Sequence, residues 1–132
     1  MQVELNTIAS SFGSLSTQVS KLHRYLLPLH PAWAQAQLSQ LPEQNALAGF
    51  AAAIARAHEL NCAAHKLGAS AVVVMVVQPG ERNAFDQHWL AVALWEQHGV
   101  RVVRRTLREI HDRGHVDELG VFRCAHAWPQ RL

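Results

Sequence analysis

The chain has 132 residues, the size of one domain, and its composition of 49% hydrophobic and 17% charged residues provides for a buried core. A formal net charge of +2 is too small to argue by itself for a nucleic-acid partner. The longest apolar run, residues 69–77, is far too short to span a membrane.

Met1 leads directly into Gln2-Val3-Glu4-Leu5-Asn6, with no basic region and no apolar block, so a cytoplasmic protein is expected. Those residues alternate polar and apolar, the period of a short strand with Val3 and Leu5 on one side and Glu4 and Asn6 on the other. Residues 8–15 are rich in Ser and Gly and read as a loop, with Ser14 or Ser16 available to cap the next helix. Leu15, Val19, Leu22, Leu26 and Leu29 then recur at helical spacing, and Pro28 and Pro31 stop the helix. Around Trp33 to Leu38 a short helix is allowed, and Pro42 ends it. The alanine-rich stretch from Ala46 to Cys62 carries Leu47, Phe50, Ile54, Ala57 and Leu60 on one stripe and predicts a helix, with Gly68 in the turn or loop after it. Ala71 to Val77 predicts a strand apolar on both faces, as in parallel sheets covered by helices. Asn83 to His98 predicts a helix closed by Gly99, and Val100 to Val103 a second strand running into Arg104 and Arg105. Thr106 is placed to cap a helix through Asp112, with Glu109 at the capping-box position and Gly114 at the end. Residues 119–132 show no clear period. The alternation of helix and strand after Ala46 argues for a parallel α/β sheet with right-handed crossovers.

Four groups of residues bear on chemistry. The break at Pro79-Gly80, between a buried strand and a helix, is where open α/β sheets place ligands. There Gly80 permits positive φ, Glu81 can pair with an ammonium group, and Asn83 and Gln87 share a helix face whose start favours an anion. The plainer alternative is a polar connection with ordinary caps. Glu4 and Asn6 project in parallel and could supply two oxygen ligands to Mg²⁺, although most such pairs only form a wet strand face. Backbone N–H groups and serines in residues 8–11 could hold a carboxylate, or serve only as caps. Arg101, Arg104, Arg105 and Arg108 are offset by Asp86, Glu96, Glu109, Asp112 and Asp117, and no aromatic residue interleaves with them, so nucleic acid is not expected. The nine histidines are scattered, and Gly114 weakens the one helical pair, His111 and His115; surface positions are expected rather than a metal site. Cys62 and Cys124 lack metal spacing and read as free thiols. Trp33, Trp89, Trp95 and Trp128 are expected in the core, with interface anchors as the alternative.

Taken together, Val3-Glu4-Leu5-Asn6-Thr7-Ile8-Ala9-Ser10-Ser11-Phe12-Gly13, Leu22-His23-Arg24, Glu81-Arg82-Asn83-Ala84-Phe85-Asp86-Gln87 and Val103-Arg104-Arg105-Thr106-Leu107 resemble the eukaryotic-type glutathione synthetases. The resemblance covers Gln2 to Leu27 and Gly68 to about Asp117. It implies an ATP-dependent carboxylate–amine ligase that joins γ-glutamylcysteine to glycine through an acyl phosphate, with Mg²⁺ offsetting charge in the phosphoryl transfer. It implies Glu4 as a contact to ATP and Mg²⁺, and Asn6 as a second Mg²⁺ contact. Ile8, Ala9, Ser10 and Ser11 would line the γ-glutamylcysteine site, and Glu81, Arg82, Asn83 and Gln87 would hold that substrate from the other side. The implied fold is a Rossmann-like three-layer α/β domain with a short parallel sheet and flanking helices, plus an N-terminal strand belonging to an ATP-grasp body. Residues 1–29 would belong to that body, 30–67 to a helical connection, 68–118 to the substrate-binding domain and 119–132 to a divergent tail. Ala9 departs from the serine of many members, and the Arg-Asp-Gly-Tyr motif, glycine-rich loop and ATP-holding lysines of the family are absent. The chain therefore resembles an internal piece of the enzyme, expected to bind γ-glutamylcysteine but to lack activity without the ATP-grasp portion or a homodimer partner. A stand-alone, non-catalytic α/β interaction module is the competing expectation.

Overall fold

A computed structural model describes residues 11–31, 38–68 and 70–124. In chain order these form α1 (Gly13–Leu26) with a 3-10 turn (Leu27–Leu29), a second 3-10 turn (Leu38–Gln40), α2 (Ala46–His65), β1 (Val73–Val76), α3 (Ala84–His98), β2 (Val102–Arg105), α4 (Leu107–Arg113), β3 (Gly114–Val116) and β4 (Phe122–Cys124). The expected strand over residues 2–6 and the helix near Trp33 lie outside the described residues.

The α/β expectation holds: β1 and β2 pair in parallel, with Val73 beside Val102 and Met75 beside Arg104. The ladder is extended by Val73 N–H to the Arg101 carbonyl and Val77 N–H to the Arg105 carbonyl, each at 2.9 Å. Side chains alternate across a strand, so Val73, Met75, Val102 and Arg104 share one face, and Val74, Val76, Val103 and Arg105 the other. On the first face, Val73 and Val102 pack against a core of Leu47 and Ala51 from α2, Ala93 and Leu94 from α3, and Val100. Small residues at Ala51 and Ala93 let α2 and α3 approach closely, and these two helices make the most extensive packing between elements.

Burial on both faces of β1 is a correction. The strand is half-buried, and Val76 is 52% exposed, because the core joins only one face to α2 and α3. The tryptophans are a second correction: Trp89 and Trp95 are exposed on the outer side of α3, in line with Phe85 and Val92, rather than in the core. Trp33 and Trp128 lie outside the described residues.

Local signals at helix ends match the sequence more closely. Thr106 Oγ1 accepts the Glu109 N–H at 3.2 Å while Glu109 Oε2 accepts the Thr106 N–H at 2.8 Å, the reciprocal capping box expected from sequence. Gly99 closes α3 at φ 65°, also as expected. α2 runs on to His65 and turns out at Lys66, itself left-handed at φ 53°. At Gly114, the expected end of α4, β3 begins and pairs antiparallel with β4. The turn between them is held by Asp117 Oδ1, which accepts from the N–H groups of Leu119 (3.0 Å) and Val121 (2.8 Å).

α1 starts at Gly13, and neither Ser14 nor Ser16 caps it. Ser14 is buried, and Ser16 Oγ turns back to donate to the Gly13 carbonyl at 3.0 Å. Gly13 is where α1 meets α2: a Cβ there would lie 2.6 Å from the Phe50 ring. The acceptor at this helix start comes instead from Asp86, far along the chain in α3.

Candidate site at the start of α3

β1 ends, and the chain turns through Pro79 and Gly80, the latter at φ 68°. Four unsatisfied N–H groups open any helix. At the start of α3, Asn83 occupies the N-cap position but makes no side-chain cap of its own. Glu81 does so in its place, with Oε1 accepting the Asn83 N–H at 2.8 Å. One turn on, Gln87 Oε1 accepts from Arg104 Nη2 at 2.6 Å. Arg104 reaches this point from the end of β2 and brings Nη1 to 3.4 Å from His88 Nε2. Glu81, Asn83 and Gln87 are therefore gathered in one hydrogen-bonded group backed by Arg104. Arg82 is exposed.

The Asn83 backbone N–H, then the Gln87 side chain, hold the Glu81 carboxyl below its ordinary value, with smaller help from the Gln78 backbone and the Arg104 charge. Glu109 is lowered by the Thr106 backbone and hydroxyl, and Asp117 by the Val121 backbone and Arg123. Because the folded-state values lie below the ordinary 4.5 of Glu and 3.8 of Asp, the unfolded chain binds more protons across that window. Their contribution to stability is complete above the ordinary values and is lost as pH falls through the lowered ones. Urea unfolding should thus show little change from about pH 7 to 5.5 and a falling midpoint below about pH 4.5, with a smaller fall for Glu81→Gln.

Asp86, in the first turn of α3, ties this group to the first sequence motif. Its Oδ2 accepts the Phe12 N–H at 3.0 Å and its Oδ1 accepts the Leu15 N–H at 2.8 Å. One carboxylate thereby serves the N-terminus of α1 and lies in the first turn of α3, a favourable position for negative charge at both helix starts. Phe12 takes the left-handed conformation, φ 63°, at this junction. Ser11, the first described residue, immediately precedes Phe12 at this junction. Glu4, Asn6, Ile8, Ala9 and Ser10 lie outside the described residues.

Sequence reasoning misses two contributors. Asp86 sits inside the Glu81–Gln87 motif without an assigned role, since nothing local distinguishes a carboxylate that caps its own helix from one that caps another. Arg104 enters as part of a basic cluster and of the Val103–Leu107 motif, with no role at the Glu81 loop; its place at the C-terminal end of a predicted parallel strand is the available signal.

Two cavities lie elsewhere: one of about 630 Å³ between the second half of α2 and the end of α3, lined by His58, Cys62, His98 and Arg101 among others, and one of about 370 Å³ beside Val92, Trp95 and Val103. Among the described residues no group of three His, Cys, Asp or Glu side chains is arranged to hold a metal ion, and no helix is long and apolar enough to cross a membrane. Cys62 and Cys124 are free thiols.

Comparison with known families gives two matches that together cover most of the chain. Residues 1–65 match the model of the eukaryotic glutathione synthase ATP-binding domain, and residues 71–126 match the model of eukaryotic glutathione synthase. The chain belongs to the eukaryotic-type glutathione synthetase family. Relatives in this family include the chloroplastic glutathione synthetase of Solanum lycopersicum, 42% identical over 123 residues, which are 92% of this chain and 21% of the relative. Glutathione synthetase of Dictyostelium discoideum is 37% identical over 118 residues, 89% of this chain and 24% of the relative. That of Homo sapiens is 32% identical over 117 residues, 89% and 23% respectively. The chain thus spans between a fifth and a quarter of the length of these glutathione synthetases.

Proposed function

We propose that this chain is the γ-glutamylcysteine-binding region of a glutathione synthetase, an ATP-dependent ligase that joins γ-glutamylcysteine and glycine. The observation that carries this reading is the Asp86 bridge. It brings the end of the first family motif, at Ser11 and Phe12, to the helix start that bears Glu81, Asn83 and Gln87. This contact between two motifs about 70 residues apart in sequence supports reading them as two sides of one place.

The glutamyl end of the substrate is a zwitterion. Glu81, its carboxyl held below the ordinary value by the Asn83 N–H and the Gln87 side chain, supplies the partner for its ammonium group. Asn83, Arg82 and Gln87 stand around it to orient the same handle, and Ile8, Ala9, Ser10 and Ser11 would line the opposite wall. A fixed handle places the cysteine carboxylate for activation, and that positioning is the contribution of this region to rate. Glu4 and Asn6 would hold Mg²⁺, and Glu4 would also face ATP; the metal would offset charge on the transferred phosphoryl group. Residues 1–29 are assigned to an ATP-grasp body, 30–67 to a connection, 68–118 to a Rossmann-like three-layer substrate domain and 119–132 to a divergent tail. The match of the ATP-binding-domain model to residues 1–65 supports the first of these. On this reading the chain alone does not ligate, and it completes its site with an ATP-grasp portion in a cytoplasmic enzyme.

The exposed row Phe85, Trp89, Val92 and Trp95 on α3 favours a second reading, an interaction module that docks by this face. Isothermal titration with γ-glutamylcysteine, combined with light scattering, separates the two. The first reading predicts heat below millimolar ligand and at least about tenfold weaker binding by Glu81→Gln, the size of one charge-assisted contact. A stable dimer that gives no heat up to millimolar ligand overturns it.

A further inference from the structure

We propose that Arg104 is a positioning residue for the substrate ammonium: it fixes the orientation of Gln87, and through Gln87 that of the Glu81 carboxylate. This inference rests on Glu81 as the ammonium partner and adds the residue that stands behind it.

The two ends of a glutamine amide differ, and arginine can only donate. With Arg104 Nη2 2.6 Å from Gln87 Oε1, the carbonyl end of Gln87 must face β2 and the NH₂ end must face the other way. The Gln87 side chain acts on Glu81, whose carboxylate accepts the Asn83 N–H at 2.8 Å, and helps hold that carboxyl below its ordinary value. The guanidinium–amide contact has one sense open to it, and on this inference the amide N–H groups continue it toward the Glu81 carboxylate. Gln87 keeps a second amide N–H, by inventory, for a ligand. On its other flank Arg104 brings Nη1 to His88 Nε2 at 3.4 Å, a contact that requires a free lone pair on that nitrogen.

The placement of Arg104 agrees with this role. It pairs with Met75 across the parallel strands, on the face that packs toward α3, at the C-terminal end of β2. Its Nε is buried and has no hydrogen-bond partner among the described residues. A buried donor left unmet is a cost to stability, and an apolar residue beside Met75 would not carry it. The forked geometry that reaches Gln87 and His88 together is what the guanidinium provides in return.

The test is calorimetric titration of the whole chain and of Arg104→Met with two ligands: γ-glutamylcysteine and its desamino analogue, glutarylcysteine, which lacks only the ammonium group. Arg104→Met should weaken γ-glutamylcysteine about tenfold, the size of a charge-assisted hydrogen bond, and should leave glutarylcysteine within about twofold. Gln87→Met should show the same selectivity. Arg104→Lys, which keeps the charge without the fork, should recover only part of the loss and carries the test if Arg104→Met does not fold. Equal weakening of both ligands marks a merely structural arginine and overturns the inference, as does unchanged binding of γ-glutamylcysteine. If the wild-type chain binds neither ligand, the proposed function fails, and the inference with it; if the wild type binds and Arg104→Met is unaffected, only the inference fails.

Discussion

Leu94→Ala is expected to destabilise the fold by about 3 kcal/mol, the middle of the range for deleting a buried leucine side chain. Leu94 is fully buried, at 0% exposure, and is the largest side chain of which this is true among the described residues. It sits where α2, α3 and the Val73–Val102 face of the sheet meet, with Ala51 and Ala93 as neighbours in the core. Alanines cannot extend to fill the space left behind, so the site collapses poorly and the cavity term adds to the lost transfer energy. Against a typical total of about 5–15 kcal/mol, and with few other large residues buried among the described residues, this loss is a large fraction of what holds the domain together. A urea titration should show a lower midpoint with an unchanged slope, and Leu94→Met, which nearly conserves volume, should cost under about 1.5 kcal/mol. A loss below about 1 kcal/mol for the alanine variant would mean that the α2–α3 seam is not the core.

Asp86→Ala should cost about 1.5 kcal/mol, within the range for losing a helix cap, and its effect should be felt mainly in α1. The substitution leaves the Phe12 and Leu15 N–H groups without their carboxylate acceptor, at a helix start whose own N-cap residue makes no side-chain cap. Asp86→Asn, which keeps a single carbonyl oxygen, should lose roughly half as much. Hydrogen exchange should quicken at the Phe12 and Leu15 amides in both variants and stay unchanged at Val102 and Val103 in β2. The variants should also weaken γ-glutamylcysteine, because the Ser11 side of the site is no longer held to α3. Unaltered exchange at Phe12 and Leu15 would show that the bridge does not hold the two motifs together.

The features legible in the sequence are mainly local ones. The valine run at 72–77, the glycine at position 99 and the Thr106–Glu109 pair each act on neighbours within a few residues, and each does in the structure what its chemistry suggests. The order of helices and strands then limits the topology to a parallel pair. The features that escape sequence reading depend on partners distant along the chain. Ser14 and Ser16 are reasonable caps for α1 on local grounds, but Asp86 arrives from α3 and displaces them. A valine-rich strand suggests burial on both sides, yet composition does not say how many faces are covered. Size alone assigns Trp89 and Trp95 to the core, while the 3.6-residue period of α3 puts Ala93 and Leu94 inward and leaves both tryptophans outside. Within the site, Glu81, Asn83 and Gln87 are identifiable because they share a loop and one helix turn. Arg104 is not, since its part depends on strand register.

The central claim is that the Glu81 helix start and the Ser11–Phe12 turn form a single binding place for γ-glutamylcysteine. Backbone amide NMR of the chain titrated with that dipeptide tests it most directly. Signals of Ser11, Phe12, Glu81, Asn83 and Gln87 should shift together along one saturating curve, while those of Cys62 and Trp95 beside the two cavities stay in place. Shifts confined to one of the two motifs, or centred on either cavity, would contradict it.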